Sequence, residues 1–264
     1  MKLFWKTLLK SHYFRKSIIT HIRADYFKEL DLSIKIKNGY WAQILNHDAY
    51  DSFSEIFIKN EYLDFLPEVE IRKVIDIGAH YGYFSLWLQS MNPHIELESL
   101  MIEPCINCRD SIDRLIRDQK LKGISQMLDG VIDDPKLGHS SFFDRPFMAS
   151  SSFVTPEEQD EVRKVRIITE DDIISKLNPP YDLIKCDIEG SEWKFLSHYP
   201  KILAGTRYLI LEWHSWHNGK GGFKQIVDRL KEFNYQIIKE SPSDHAIGKD
   251  GEVGLILAQN LSLS

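Results

Sequence analysis

The sequence has little that would place it in a membrane or in an oxidising compartment. No apolar stretch reaches the roughly 20 residues that a transmembrane helix needs, and the basic N-terminus lacks a signal-peptide core. Three cysteines, Cys105, Cys108 and Cys186, are too few for a disulfide framework. The first two have a spacing that suits zinc or redox chemistry, but no second ligand pair accompanies them. These absences predict a cytoplasmic protein with reduced thiols.

Positive charge is scarce outside the N-terminus. The net charge is −6, which argues against a nucleic-acid-binding protein. Residues 1–24 carry six basic residues and no acidic one, so the rest of the chain, with 27 basic and 39 acidic residues, has a net charge of −12. Phe14, Ile18 and Ile22 recur every fourth position, which predicts a basic amphipathic helix. We favour packing of this helix on the protein body over contact with an anionic membrane or a partner protein.

From residue 71 onward, apolar runs typical of buried strands alternate with segments of helical pattern. Strands are predicted over 72–78, 95–104, 124–132, 161–169, 181–188, 207–214, 235–240 and 253–259, and helices over 81–91, 105–121, 170–177, 191–203 and 221–233. Segment 161–169 alternates like an edge strand, after a long polar interval at 133–160. The alternation predicts a doubly wound α/β domain with a mostly parallel sheet, residues 71–264, preceded by an N-terminal extension, residues 1–70.

The first candidate site is "VIDIGAHYGYFS", residues 74–85, where a predicted strand passes into a helix. Gly78 permits positive φ and close approach of a ligand, and Gly82 lets the helix begin close to the strand. Asp76 can accept from a cationic or hydroxyl-bearing ligand. The GxxxG spacing lacks the third glycine of the dinucleotide-binding GxGxxG pattern. A structural turn and a ligand site explain this stretch equally well.

Glu103 ends the second predicted strand, 21 residues after Gly82. An acid at this position binds ribose hydroxyls in nucleotide-binding sheets. The alternative role is a favourable charge ahead of Pro104 at a helix N-terminus. We favour the ribose role because the glycine turn precedes it. The two features together predict a nucleoside ligand without a diphosphate, and S-adenosylmethionine fits that description.

Two later strands, in "DLIKCDIEGSEW" (182–193) and "LILEWH" (209–214), end in titratable side chains. These residues are Asp187, Glu189, Glu192, Glu212 and His214. Burying a charge costs several kcal/mol unless it is paired, and pairing of Lys185 with Asp187 is the structural explanation. The position at strand ends also suits a general base. His214 can deprotonate a hydroxyl or satisfy a buried carboxylate, and the sequence leaves both open.

Taken in order, these motifs resemble the FkbM family of S-adenosylmethionine-dependent methyltransferases. The matching stretches are "VIDIGAHYGYFS", "IEPCIN", "IKCDIEGSE" and "LEWH", together with "ITEDDII" (168–174) and "YDSFSEIFIKNEYLDFL" (50–66). The similarity covers about residues 50–240, with His80 where the family usually has asparagine.

The resemblance implies a Rossmann-like class I methyltransferase fold with a seven-stranded sheet, and S-adenosylmethionine as cofactor. It implies that the cofactor is lined by Asp76, Gly78, Ala79, His80, Gly82, Glu103 and Pro104. It implies that the methyl acceptor faces Asp187, Glu189, Glu192, Glu212 and His214.

The expected reaction is O-methylation of a sugar, glycan or other polyhydroxylated small molecule, with Asp187 or His214 taking the proton. A divalent cation on acidic pairs such as Asp187 with Glu189 ranks lower, because carboxylates beside a sulfonium already have a charge partner. Two alternatives are an NAD(P)-dependent oxidoreductase of Rossmann type and a non-catalytic nucleoside-binding module. The missing GxGxxG and the crowded acids disfavour the oxidoreductase.

Overall fold

The computed structural model describes residues 32–118, 125–144, 161–215, 222–242, 244–245 and 251–263. The basic helix predicted within residues 1–24 lies outside these ranges. Among the described residues, none of the helices combines the length and the hydrophobicity that crossing a bilayer requires.

The elements follow one another as α/β units after a short lead-in. The strands are β1 (Leu32–Lys35), β2 (Trp41–Ile44), β3 (Lys73–Ile77), β4 (Glu98–Ile102), β5 (Ser125–Leu128), β6 (His139–Asp144), β7 (Glu161–Arg166), β8 (Tyr181–Cys186), β9 (Thr206–His214), β10 (Tyr235–Glu240), β11 (Asp244–His245) and β12 (Glu252–Asn260). The helices are α1 (His47–Phe53), α2 (Tyr83–Met91), α3 (Ile106–Asp118), α4 (Glu170–Lys176), α5 (Glu192–His198), α6 (Pro200–Ala204) and α7 (Phe223–Glu232).

The central sheet has the strand order β10-β12-β9-β8-β3-β4-β5, with β11 paired to β12 at one side. Strands β5, β4, β3, β8 and β9 run parallel, whereas β12 is antiparallel to both β9 and β10. The doubly wound, mostly parallel seven-stranded sheet expected from the sequence is confirmed. The order switches between β3 and β8, so a ligand is expected beyond the carboxyl ends of these two strands.

Alternate sheet residues are buried in two separate cores. Val74 and Leu183 belong to a core shared with α2 and the lead-in segment. Ile75 and Ile184 belong to a second core shared with α4 to α7. Strands covered by helices on both faces need apolar residues at nearly every position, which is why the predicted strands are almost continuous apolar runs.

The lead-in segment packs on the first core. Strands β1 and β2 form an antiparallel hairpin, and α1 continues directly into a π-helical turn, Ser54–Lys59. Phe53 makes an edge-to-face contact with Tyr83 of α2, with ring centroids 6.1 Å apart. Asn46 caps α1 by accepting from the N–H of Ala49 at 2.8 Å. These contacts place α1 and the π-helical turn beside the carboxyl end of β3.

Two expected elements differ in detail. The single helix predicted over 191–203 is two helices, α5 and α6, because Pro200 has no N–H to donate and disfavours helical geometry at Tyr199, whose φ is −119°. The edge strand predicted over 161–169 is present but ends at Arg166, and it lies outside the central sheet. Residues 161–166 instead pair with β6 in an antiparallel hairpin, and a single bridge from Ile167 to Val131 links this hairpin to the segment after β5.

Candidate active site

The turn after β3 contacts the backbone of the residues that directly follow β8. Gly78 has a φ of +74°, and a Cβ there would lie 1.8 Å from the carbonyl oxygen of Asp187. The backbone N–H of Asp187 donates to the carbonyl of Ile77 at 3.1 Å. Only glycine satisfies both the left-handed conformation and this close approach. Gly82, with a φ of +76°, immediately precedes α2.

Glu103 is buried directly after β4, with 5% of its surface exposed. Its Oε2 accepts from the N–H of His80 at 2.7 Å, and its Oε1 accepts from the N–H of Cys105 at 2.9 Å. Burial raises the pKa of Glu103 to about 7, against the lowering effect of these two hydrogen bonds. Each carboxylate oxygen keeps a further lone pair. Glu103 can therefore still accept two hydroxyl donors, as a ribose diol would require.

His80 holds a left-handed backbone conformation, with a φ of +52°. Its Nε2 is buried, and it has no hydrogen-bond partner among the described residues. Burial, followed by the nearby charge of Lys185, lowers the pKa of His80 to about 4, so the ring is neutral at pH 7. A buried neutral ring nitrogen at the cleft is suited to a hydrogen bond with a ligand.

Lys185 carries a buried positive charge at the centre of the site. It lies beside Asp76 in the parallel register of β8 with β3. Its Nζ donates to the carbonyl of Gly78 at 2.9 Å, and it lies 3.3 Å from Oδ2 of Asp187 and 3.9 Å from Oδ1 of Asp76. Burial lowers the pKa of Lys185, but Asp187 and Asp76 outweigh this and raise it above its usual value. The ammonium therefore stays charged, and it links the glycine turn at Gly78 to Asp187 after β8.

Two carboxylates meet at one tyrosine hydroxyl. Tyr62 Oη lies 3.4 Å from Oδ2 of Asp187 and 3.4 Å from Oε2 of Glu212. Burial alone would raise the pKa of Asp187, but Lys185 and His214 hold it below its usual value. Burial and the charge of Asp187 raise the pKa of Glu212 well above its usual value. The pKa values of the two carboxyl groups are therefore pushed apart, with Asp187 the more readily ionised of the two.

Glu192 and His214 form a buried pair behind these carboxylates. Nδ1 of His214 lies 3.0 Å from Oε1 of Glu192, and Nε2 lies 3.8 Å from Oε1 of Glu212. Glu192 also accepts from the N–H groups of Ile188 and Gly190, at 3.0 and 3.1 Å. Burial lowers the pKa of His214, but Glu192 outweighs this effect and raises it to about 10. Glu192 thus holds both the loop after β8 and the ring of His214.

A cleft of about 1110 Å³, counted with the space open to solvent, lies over these groups. Of the sequence-predicted residues, it is lined by Gly78, Ala79, His80, Glu103, Pro104, Asp187 and Glu189. The other five are not among its lining residues: Asp76, Gly82, Glu192, Glu212 and His214. Asp76 is fully buried and accepts from Ser85 Oγ at 3.1 Å. The roles of all twelve residues in cofactor binding or catalysis remain predictions.

Comparison with known proteins places this arrangement in a family. Residues 76–237 match the family model described as the methyltransferase FkbM domain, and this range is more than half of the chain. The chain belongs to the FkbM methyltransferase family. Membership in this family confirms the methyltransferase expected from the motifs and S-adenosylmethionine as its cofactor. No curated protein sequence matches this FkbM methyltransferase.

Three solved structures are similar to this chain at low sequence identity. The methyltransferase FkbM of Methylobacillus flagellatus KT is 16% identical, with a TM-score of 0.49 over 80% of this chain and 50% of that chain. TrmK of M. capricolum, solved with S-adenosyl-homocysteine, is 13% identical, with a TM-score of 0.46 over 78% of this chain and 68% of that chain. Streptococcus pneumoniae Sp1610, proposed to be a tRNA (m1A22) methyltransferase, is 14% identical, with a TM-score of 0.44 over 76% of this chain and 69% of that chain.

Sequence reasoning missed the part of this FkbM methyltransferase site that the lead-in segment supplies. The cleft is also lined by Asp48, Asp51, Ser52, Glu55, Ile56 and Tyr62. Burial, followed by the charge of Glu61, raises the pKa of Glu55 to about 7. The available signal was the resemblance of residues 50–66, which ends four residues beyond Tyr62. No spacing in the sequence could show that this segment folds back over the sheet.

The cysteines of the FkbM methyltransferase are structural. Cys105, Cys108 and Cys186 are all buried and reduced. Cys108 lies on α3, and Cys105 directly precedes that helix. Neither belongs to a group of three or more potential metal ligands among the described residues.

Proposed function

We propose that this FkbM methyltransferase methylates a hydroxyl group of a neutral, polyhydroxylated small molecule, such as a sugar or a glycan. The observation that carries the proposal is the pair of carboxylates, Asp187 and Glu212, that meet at the hydroxyl of Tyr62. Carboxylates at this edge can accept the hydroxyl groups of an acceptor and take up its proton. Both carboxylates lie at the carboxyl ends of parallel strands. The switch in strand order makes this edge of the sheet the expected ligand-binding side, so we assign the reacting end of the cleft to it.

The cofactor fits the opposite end of the same cleft. Bound S-adenosylmethionine supplies an electrophilic methyl group on a sulfonium. Glu103 would accept the two ribose hydroxyls, and the bare backbone at Gly78 would lie against the methionine portion. Asp187 and Glu212 would then lie on the acceptor side, and Asp187, ionised at pH 7, would hold the acceptor hydroxyl in line with the methyl group.

Charge in the cleft argues against a nucleic-acid acceptor. The lining acids Asp48, Asp51 and Glu55 face Asp187 and Glu189 across it. The buried cation, Lys185, is already bonded to Gly78 and paired with Asp187. A phosphate backbone would meet negative potential from these acids. The location of these acids on residues 1–70 supports a role for the proposed N-terminal extension in acceptor recognition.

The test is transfer of a labelled methyl group to a panel of acceptors. Neutral sugars and glycans, phosphorylated sugars and tRNA are each incubated with the enzyme and methyl-labelled cofactor. We expect a gain of about 14 daltons on a neutral polyol, plus the mass added by the label, detected by mass spectrometry. Methylation of tRNA or of a phosphorylated sugar in preference to every neutral polyol would overturn the acceptor class. The reduced thiols also support the cytoplasmic location that we propose.

A further inference from the structure

We propose that Asp187, Glu212 and His214 form a binding site for a divalent first-row cation such as Mn²⁺. One potential ligand atom from each of these three side chains lies within 4.8 Å of the other two. They stand at the carboxyl ends of the adjacent parallel strands β8 and β9. A cation of this size can bridge donors at such separations after small side-chain rotations. The site would lie at the acceptor end of the cleft, so its role in catalysis rests on the proposed function.

The residues around His214 are arranged as they are around a metal-binding histidine. Histidine ligands usually donate their other ring N–H to a carboxylate, which fixes the orientation of the metal-binding nitrogen. Here Nδ1 of His214 is 3.0 Å from Glu192, and Nε2 points toward Glu212 at 3.8 Å. Glu192 is itself held by two backbone N–H groups. The imidazole is therefore pre-oriented toward the two carboxylates by a residue outside the cluster.

The two carboxylates retain capacity for a cation. Tyr62 has one hydroxyl proton, yet its oxygen lies 3.4 Å from both Asp187 and Glu212. Both contacts of the Asp187 side chain with Tyr62 and Lys185 involve Oδ2. Oδ1 of Asp187 has no hydrogen bond or ion pair within the described part of the chain. That oxygen and the carboxylate of Glu212 can therefore turn toward a shared cation.

His80 supplies a further polar atom at the cleft. Nε2 of His80 is buried and has no hydrogen-bond partner among the residues described. His80 lines the same cleft as Asp187 and lies close enough for their charges to interact. A divalent cation held by three protein ligands keeps water in its remaining positions. Such a water can donate to the ring nitrogen of His80.

The mixed donor set selects the class of cation. Two carboxylates with one imidazole suit Mn²⁺, Fe²⁺ or Zn²⁺ better than Mg²⁺ or Ca²⁺, which prefer oxygen ligands alone. Binding displaces any proton from Nε2 of His214 to solvent. The cation would polarise the acceptor hydroxyl, whose proton passes to the Asp187 oxygen that does not bind the cation as the new O–C bond forms and the S–C bond of the cofactor breaks. S-adenosylhomocysteine then leaves as the neutral thioether.

Calorimetric titration of the full chain with Mn²⁺ tests the site. We expect one Mn²⁺ per chain in the wild type, weaker binding of Mg²⁺ and Ca²⁺, and at least a 10-fold loss of Mn²⁺ affinity in Glu212→Gln. Glu192 orients His214 without belonging to the cluster. Glu192→Gln should therefore also weaken Mn²⁺ binding, by about 10- to 100-fold. The matched control is Glu61→Gln, which removes a nearby carboxylate outside the cluster and should change affinity less than about threefold.

Binding of S-adenosylhomocysteine keeps the two proposals apart. Each variant should bind it within about threefold of the wild type, which also shows that the variant is folded. Failure of the wild type to bind it would refute the proposed function alone. If the wild type binds Mn²⁺ no better than Glu212→Gln, or if Glu61→Gln loses as much affinity, the cation site is refuted alone.

Pulsed electron paramagnetic resonance tests the ligands of Mn²⁺ directly in the wild type, and a variant serves only as its control. Mn²⁺ bound to the wild type should show coupling to an imidazole nitrogen, and His214→Gln should abolish it. Tightly bound Mn²⁺ without any nitrogen coupling in the wild type would contradict the site.

Discussion

The carbonyl oxygen of Asp187 occupies the space that a side chain at position 78 would need. A Cβ on Gly78 would lie only 1.8 Å from that oxygen. The two residues follow β3 and β8, the strands between which the order of the sheet switches. The glycine turn after β3 and the loop after β8 are therefore a single packed unit, and a change in one displaces the other.

Gly78→Ala should damage both stability and cofactor binding. Gly138 offers a matched control, because its φ of +69° is similar but a Cβ there would meet nothing within 4 Å. We expect Gly138→Ala to lower the free energy of unfolding by about 1–2 kcal/mol through backbone strain alone. Gly78→Ala should cost about 1–3 kcal/mol more and should abolish binding of S-adenosylhomocysteine. Urea denaturation and calorimetry check this, and equal losses in the two variants would refute the close-approach explanation.

Affinity for S-adenosylhomocysteine should fall as pH decreases below 7. The ionised form of Glu103 can accept both ribose hydroxyls, and burial raises its pKa to about 7. A ligand that selects the ionised form loses up to about tenfold in affinity for each pH unit below that pKa. Glu103→Gln should bind more weakly, by roughly 1–3 kcal/mol, and its affinity should not vary with pH. Glu55→Gln should keep the slope, although burial raises the pKa of Glu55 to about 7 as well.

The stability of the ligand-free protein should change with pH in the opposite direction. The pKa of Glu103 in the folded state lies above its ordinary value of 4.5, so folding favours the protonated carboxyl. The contribution of Glu103 is therefore fully present below pH 4.5 and is lost as pH rises through 7. Thermal denaturation of the wild type and Glu103→Gln across this range measures the difference. A gap between them that does not vary with pH would contradict the shift.

Asp187→Asn should reduce turnover far more than cofactor affinity. Asparagine keeps the size of the side chain but can neither take up a proton nor pair with Lys185. We expect turnover with the identified acceptor to drop at least about 100-fold, as for other lost proton acceptors. Binding of S-adenosylhomocysteine should stay within about threefold of the wild type. A variant with unchanged turnover would remove Asp187 from the proposed catalytic residues.

Asp133→Asn should loosen the β6–β7 hairpin from the body of the protein. Asp133 is buried, pairs with Lys194 at 2.8 Å and accepts from Ser140 Oγ at 2.7 Å. Burial would raise its pKa, but the bonds to Lys194 and Ser140 hold it below 3.8. Its contribution to stability is thus present above pH 3.8 and is lost as pH falls further.

We expect Asp133→Asn to lower the free energy of unfolding at pH 7 by about 2–4 kcal/mol. The control is Asp171→Asn, because its pair with Lys201 lies on the surface. Losing that pair should cost less than about 1 kcal/mol. Urea denaturation of the two variants measures the difference, and comparable losses would show that the Asp133 network does not anchor the hairpin.

The strands of the central sheet could be predicted from the sequence because they are buried on both faces. Continuous apolar runs such as 208–211 and 255–258 mark these strands without any knowledge of their neighbours. The edge strand at 161–166 was predicted, but its partner β6 was not. The pattern of residues 161–166 does not say which strand is the partner.

The sequence by itself determined the central fold, the glycine turn and the presence of acids at the strand ends, because each of these depends on local periodicity or on a few consecutive residues. Only the tertiary structure decided which of those acids line the cleft and which do not. It also brought Tyr62 to Asp187, 125 positions away, and placed Glu192 against His214. Such pairs depend on how separate elements pack together, and no spacing along the chain records that.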